Sequence, residues 1–372
     1  MTCEFPNFYP PLPSADDNAD IVALDKNPSQ ENGFGTDFGP AINLLIRKVL
    51  PDSPAHAGYY GALLLPARDE PYPIRTPVTY RFNDQCSPLR LFGDGATLRA
   101  DLPMEAVFRF DGNASSNQIR LEGLTVDANG QAAYGFILTS LTLGTAVVER
   151  LTVKGARHSG FWVRSCQAAV FRECESSNNQ LDGWRIEGAF ASRFIACRAA
   201  GNGRDGFRLS SIGSKSYETT PFAANTTSGA GGADLMACVS TDNGRDGAHI
   251  APPANDGIAT TFPAPNGFVL RDCTLSGNRR HGVRIHATAS AIALDAAVVT
   301  YATDTLQLGR AFYLEPNGSS GLAESWEKPG IDPNDSKKLT TTTAVARIAL
   351  KECTAKVRES SASWAMFPSD PS

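Results

Sequence analysis

No apolar run in these 372 residues approaches the roughly 18 that a membrane-spanning helix needs, so no membrane partner is expected. Basic charge is not in excess either. Lys and Arg number 34 against 39 Asp and Glu, a net charge of −5, and a chain without a basic field is not expected to bind nucleic acid. The opening residues, Met1-Thr2-Cys3-Glu4-Phe5-Pro6, lack the basic segment and apolar stretch of a signal peptide. The expected location is therefore cytoplasmic, with a secreted or virion-associated one left open. Eight cysteines include no C-x-x-C pair, the spacing of zinc and dithiol motifs. No metal and no cofactor are expected. Charged residues make up only 20%, beside 33 Gly and 24 Pro, which suits many turns and few long helices.

What the chain does contain is a repeat. One unit reads Phe171-Arg172-Glu173-Cys174, then Asn179, then Asp182-Gly183-Trp184-Arg185-Ile186. The next units place Cys197, Asn202, Asp205-Gly206-Phe207-Arg208-Leu209, then Cys238, Asn243, Asp246-Gly247-Ala248-His249-Ile250, then Cys273, Asn278, His281-Gly282-Val283-Arg284-Ile285. Asn follows Cys by five and Gly follows by nine in all four units. Leu151, Cys353 and, earlier, Leu124 mark weaker copies. Each unit holds short alternating runs separated by turn residues, the pattern of strands. A unit this short cannot bury its own apolar face, so the units must stack on a shared core. Alternation sends Trp184, Phe207, Ala248 and Val283 inward with Ile186, Leu209, Ile250 and Ile285. Arg185, Arg208, His249 and Arg284 between them are expected to face solvent.

The repeat resembles the pectate-lyase-like (pectin-lyase-fold) superfamily, from about Gly39 to Cys353. The resemblance implies an all-β, single-stranded right-handed parallel β-helix, a solenoid with an N-terminal capping helix. The amphipathic segment Ala41–Leu50 would be that cap, and the runs Gly61–Pro66 and Leu89–Gly95 resemble the superfamily's first strands. The expected organisation is an extended arm over 1–38, with Pro6, Pro10, Pro11 and Pro13, then the β-helix over 39–354 and a tail over 355–372. A long loop with Trp326 is expected from Asn317 to Leu339. The apolar run Trp364–Phe367 could cap the last coil or a neighbouring subunit, so a homo-oligomer stays open.

Stacking would turn Cys174, Cys197, Cys238 and Cys273 into an interior ladder. Strands stacked about 4.8 Å apart suit free thiols better than disulfides, whose Cβ atoms want about 3.8 Å. Asn179, Asn202, Asn243 and Asn278 should form an asparagine ladder at a turn, because a buried amide must be paired. Asp182, Asp205 and Asp246 precede Gly, a common turn pair, so turn chemistry competes with function there.

Two coils are oversized. Both extra segments, roughly Ser210 to Gly232 and Ala251 to Asn266, leave after the same strand and should build one wall, where function usually sits. The first carries Tyr217 and Phe222, the second Phe262 with several Pro. Beside the wall runs the outward stripe Trp162, Arg185, Arg208, His249, Arg284, with Glu187 and His286 one residue beyond it; stacking is expected to bring all of these together. Arg208, His249, Arg185, Arg284 and Glu187 are the catalytic candidates. Trp162, His286, Asp205, Asp246 and Tyr217 are the substrate-binding candidates. Arg suits bidentate carboxylate recognition and His suits acid or base work near neutral pH. Trp162 could stack a sugar. A solvated charged face competes with this reading, and His158 and His281 at turns read as ordinary surface residues. His56 falls in an expected loop.

The resemblance implies lyases, hydrolases, epimerases and fructotransferases as candidate activities. The polygalacturonase paired-Asp motif, the alginate-epimerase Asp-Pro-His signature and an acidic cluster like the calcium site of pectate lyases are not found, although Arg279–Ile285 faintly echoes later polygalacturonase motifs. Three readings stay open: a carbohydrate-active enzyme on an anionic poly- or oligosaccharide by elimination or hydrolysis, a cyclase or dehydratase on a small biosynthetic intermediate, and a tailspike-like glycan-binding rod. Hydrolysis would need a carboxylate pair, which Glu187 with Asp182 or Asp205 could supply.

Overall fold

The computed structural model describes residues 21–23, 37–49, 62–81, 89–112, 118–139, 145–210, 232–251, 267–286, 289, 292–302, 310–314 and 348–358. Their strands form three parallel sheets of eleven, ten and nine strands. Each coil visits the first, second and third sheet in turn, as in Ser192–Ile195, Arg198–Ala200 and Phe207–Ser210. Every strand then pairs with its counterpart one coil on. This is the right-handed parallel β-helix expected from the repeat. Ile21–Ala23, within the arm, pairs with Ala62–Leu65 and forms the first strand of the first sheet.

The corner between the first and second sheets explains the cysteine slot. The residue before it takes a left-handed backbone, with φ of 53° at Glu173, 51° at Ala196, 53° at Ala237 and 53° at Asp272. One such residue turns the chain sharply and aims the next side chain inward. The six described cysteines, Cys166, Cys174, Cys197, Cys238, Cys273 and Cys353, are free and buried. Their thiols donate to carbonyls one coil back, Cys174 to Val148 O at 3.3 Å and Cys238 to Phe194 O at 3.1 Å. They act as small hydrophobes with a weak donor, and burial pushes the Cys197 thiol above its ordinary value.

The inward residues are those the alternation selects. Trp184, Phe207, Ala248, Val283 and their Ile and Leu partners are at most 5% exposed. The capping helix spans Phe38–Val49 and buries Phe38, Ala41, Ile42 and Ile46 on the end of the core. Asp37 caps it, its Oδ1 accepting from the Gly39 N–H at 3.0 Å and from the Arg75 N–H at 3.0 Å.

At the corner between the second and third sheets, the asparagines form the expected ladder. Asn179 Nδ2 donates to Asn202 Oδ1 at 2.8 Å, Asn202 Nδ2 to Asn243 Oδ1 at 2.9 Å, and Asn243 Nδ2 to Asn278 Oδ1 at 2.8 Å. Each Oδ1 also accepts a backbone N–H from the coil before it, as Asn202 Oδ1 does from Asn179 N at 3.1 Å. Removing one rung leaves buried groups of two neighbours unpaired, at about 1–3 kcal/mol each. Asn202→Ala is therefore expected to lower the unfolding free energy by about 3 kcal/mol. Arg193→Ala, on an exposed outer position, should cost less than about 0.5 kcal/mol. Urea titration of both variants checks this.

Candidate active site

The third sheet carries the stripe. Its register aligns Trp162 with Arg185, Arg185 with Arg208, Arg208 with His249, His249 with Arg284, and Arg284 with Tyr313. These side chains point away from the core, but they do not all meet water as expected. Arg208 is only 8% exposed and His249 5%. Alternation fixes which face a residue takes; it does not say whether that face is covered.

Next to the stripe, the Asp-Gly turns stack Asp182, Asp205 and Asp246 in a column, with His281 in the following coil. Each carboxylate accepts the next coil's backbone N–H: Asp182 Oδ1 from Asp205 N at 3.2 Å, Asp205 Oδ1 from Asp246 N at 3.3 Å, Asp246 Oδ1 from His281 N at 3.1 Å. This is turn chemistry, as one of the two sequence readings had it. The remaining oxygens, however, point into a cluster of charges. Arg245 Nε donates to Asp205 Oδ1 at 2.7 Å while its Nη2 pairs with Asp205 Oδ2, and Arg245 Nε lies 3.4 Å from Asp246 Oδ2. Arg284 Nη1 lies 3.6 Å from Asp246 Oδ2, Arg208 Nη1 4.0 Å from Asp205 Oδ2, and Arg204 Nε 3.7 Å from Asp182 Oδ1. Four guanidiniums thus surround three buried carboxylates, leaving the cluster net positive.

His249 Nδ1 is 3.2 Å from Asp205 Oδ2 and 2.8 Å from Arg245 Nη2. An arginine nitrogen only donates, so a contact this short assigns Nδ1 as the acceptor and leaves the proton on Nε2. Burial pushes His249 below its ordinary value, which keeps it neutral near pH 7. Burial would raise Asp205, but the hydrogen bonds and charge of Arg245 outweigh it and hold that carboxyl below the ordinary range. Asp246 goes the other way. Burial, then the Asp205 charge, push it up to about 6. Of the two neighbouring carboxylates, Asp205 is held ionised and Asp246 is the one placed to exchange a proton near neutral pH. Among the described residues, Asp246 Oδ2 and His249 Nε2 are fully buried and make no hydrogen bond. Buried polar atoms that make no hydrogen bond call for a ligand or an enclosed water.

Asp205, Asp246 and His249 could present three ligand atoms within 4.8 Å of one another to a metal ion. The donor set does not suit one. Arg245 already holds both Asp205 oxygens and contacts His249 Nδ1, so a cation there would displace or face a guanidinium.

The other candidates fall apart from this cluster. Glu187 is buried, with Oε1 accepting from Arg185 Nε at 2.7 Å and Oε2 from Trp162 Nε1 at 3.0 Å. Trp162 stacks on Tyr134 at 4.9 Å, with the Arg185 guanidinium 5.2 Å from its ring. Stacking does not bring Glu187 and His286 together. They hold the same slot, but Ser210 and Ala251 occupy it in the intervening coils, placing them three rungs or about 14 Å apart. His281 is not an ordinary surface residue. It is 8% exposed and stacks on Tyr313 at 4.5 Å. His158 is exposed, as expected. Tyr217, Phe222, Phe262, Trp326, the Trp364–Phe367 run and His56 lie outside the described residues. Sequence reasoning missed Arg245 and Arg204. The signal was there: Asn-Gly-Arg-Asp-Gly occurs twice without change, at 202–206 and 243–247, so stacking puts an Arg beside each Asp.

Comparison with known proteins agrees with the fold. No curated protein sequence matches the chain. Among solved structures, ORF18 of Geobacillus virus E2 aligns with a TM-score of 0.51 at 15% identity, covering 79% of this chain and 61% of the viral one, so this chain spans about three fifths of that protein. The A-module of the Azotobacter vinelandii mannuronan C-5 epimerase AlgE4 aligns at 0.51 and 14% identity, covering 87% of this chain and 94% of the module. An endo-xylogalacturonan hydrolase from Aspergillus tubingensis aligns at 0.52 and 10%, covering 91% and 93%. At these identities the likeness is one of fold. The family model described as right handed beta helix region matches residues 112–298, which hold the repeats, both ladders and the whole Asp–Arg–His cluster, and the chain belongs to that family.

Proposed function

We propose that the protein is an enzyme that removes a proton next to a carboxylate in an anionic saccharide and so cleaves it by β-elimination. The observation that carries this is the pair of buried atoms that make no hydrogen bond among the described residues, Asp246 Oδ2 and His249 Nε2, set among Arg208, Arg245 and Arg284. A carboxylate raised to about 6 can serve as base near neutral pH. A buried positive surplus would neutralise a substrate carboxylate and stabilise the charge that builds on it when the adjacent proton leaves. Arg208 and Arg284 suit the carboxylate, and the neutral His249 donates from Nε2. Hydrolysis fits less well, because it needs two working carboxylates and Asp205 has both oxygens engaged. The names of the epimerase and the hydrolase on this fold are in keeping with a saccharide substrate.

The test is an assay of purified protein on uronate polymers and their short oligomers, following the ultraviolet absorbance of unsaturated products. Arg208→Ala and His249→Ala are each expected to lower kcat/KM by about a hundred-fold or more. Arg208→Lys should not restore it if a bidentate contact matters. Reducing ends without absorbance would reject elimination. The burial of the two atoms favours one second reading, an enclosed small molecule such as a biosynthetic intermediate in place of a polymer. Silence on polymers with turnover of short oligomers or small uronates would point there.

A further inference from the structure

The acid–base inventory of the site is short. Asp205 is saturated: Oδ1 accepts from Arg245 Nε and the Asp246 N–H, and Oδ2 from Arg245 Nη2. His249 carries its proton on Nε2 and has Nδ1 engaged by Arg245, so it donates and does not accept. The arginines are permanently protonated. Glu187 has both oxygens committed to Arg185 and Trp162. Asp182 holds the Asp205 N–H and lies two rungs, about 10 Å, from Asp246. Among the carboxylates and the histidine of the Asp–Arg–His cluster, that leaves Asp246 Oδ2 as the acceptor.

Resting on the elimination reading, we infer that Asp246 performs both proton transfers, and that the protein therefore cleaves only uronates whose C5 hydrogen and C4 oxygen project from the same ring face. Asp246 Oδ2 takes the C5 proton. The C5–H electron pair becomes the C4–C5 double bond as the C4–O bond breaks. The departing oxygen keeps that bond's pair and receives the proton from Asp246, which returns to a carboxylate. Atoms and charge balance with no co-reactant. One carboxylate can do this only from one side of the ring. Asp246 cannot travel to the other side, because its Oδ1 is pinned by His281 N at 3.1 Å and its backbone belongs to a stacked rung. His249 Nε2 comes from the same wall, two positions beyond Gly247, so it serves the same face.

Ring stereochemistry turns this into substrate choice. Mannuronate and glucuronate place the C5 hydrogen and C4 oxygen on the same face. Galacturonate and guluronate place them on opposite faces. The protein is to be assayed on polymannuronate, polyglucuronate, polygalacturonate and polyguluronate, each as polymer and short oligomer, reading unsaturated product. The expected result is cleavage of mannuronate or glucuronate chains at least about a hundred-fold faster than either of the others, the scale of one lost proton transfer. Comparable or faster cleavage of galacturonate or guluronate would overturn the single-carboxylate inference and leave elimination standing. Absence of unsaturated product on every substrate would overturn the elimination reading, and the inference with it.

Discussion

Asp246→Asn is expected to abolish turnover and yet leave the protein more stable than its parent near neutral pH. The carboxyl titrates near 6 in the folded protein, against an ordinary value of 3.8, because burial and the Asp205 charge disfavour its ionised form. A carboxyl with a raised folded pKa holds its proton more tightly in the folded than in the unfolded state. Stability is thus lost as pH rises from the unfolded value towards 6, and the loss stays constant above that. A shift of about two units corresponds to about 3 kcal/mol. Asparagine keeps the Oδ1 acceptor for His281 N and never ionises, so it escapes this loss. The rise is already net of the ion pairs to Arg245 and Arg284, and burying the amide takes back part of it, so a net gain of about 1–3 kcal/mol is expected. Melting curves taken across the acid range decide this. The two proteins should have equal stability below the unfolded carboxyl pKa and diverge, variant above parent, as pH climbs through the window. Activity should fall by about a thousand-fold or more, and the parent's activity should rise with pH on a limb near 6. A variant less stable than the parent at neutral pH would mean that the ion pairs outweigh the desolvation, and Asp246 would then be a structural residue.

The rungs were legible because period-two alternation and the Cys and Asn slots repeat at coil length. Register follows from that, which is why the sequence alone aligns Arg185, Arg208, His249 and Arg284. The coil at Ala297 was not seen, since alanine fills its cysteine slot and removes the marker. The cover over Arg208 and His249 was not legible, because alternation separates faces and carries no information on what lies above them. Glu187 and His286 were joined in error, since a shared slot implies proximity only in adjacent coils. The double role of the turn aspartates escaped for a related reason. One oxygen of Asp246 does turn chemistry and the other faces the site, and a residue-level reading assigns a side chain only one role. Arg245 was within reach, had the Asn-Gly-Arg-Asp-Gly repeat been stacked on itself.

Trp184→Ala should produce the largest loss of stability of any substitution considered, about 4–5 kcal/mol. Trp184 is fully buried at the level of the cluster. Its ring stacks on Phe161 at 3.8 Å and 2° and on Phe207 at 6.0 Å, and meets Phe171 and Phe194 edge-on at 5.6 Å each. Its indole N–H donates to Arg198 O at 3.1 Å, tying the third sheet to the second across the interior. Alanine would open a cavity bounded by rigid stacked rungs, which cannot collapse around it as a mobile core could. Trp184→Phe separates the contributions. It keeps most of the stack and loses the hydrogen bond, so it should cost about 1–2 kcal/mol. Because Arg185 and Ile186 share this strand and Arg185 pairs with Arg208, a slackened rung should also disturb the site. Loss of activity in Trp184→Ala should therefore accompany a lowered denaturation midpoint in urea, whereas Asp246→Asn loses activity with the midpoint raised. If Trp184→Ala unfolds at the parent's midpoint, the aromatic stack does not hold this part of the solenoid together.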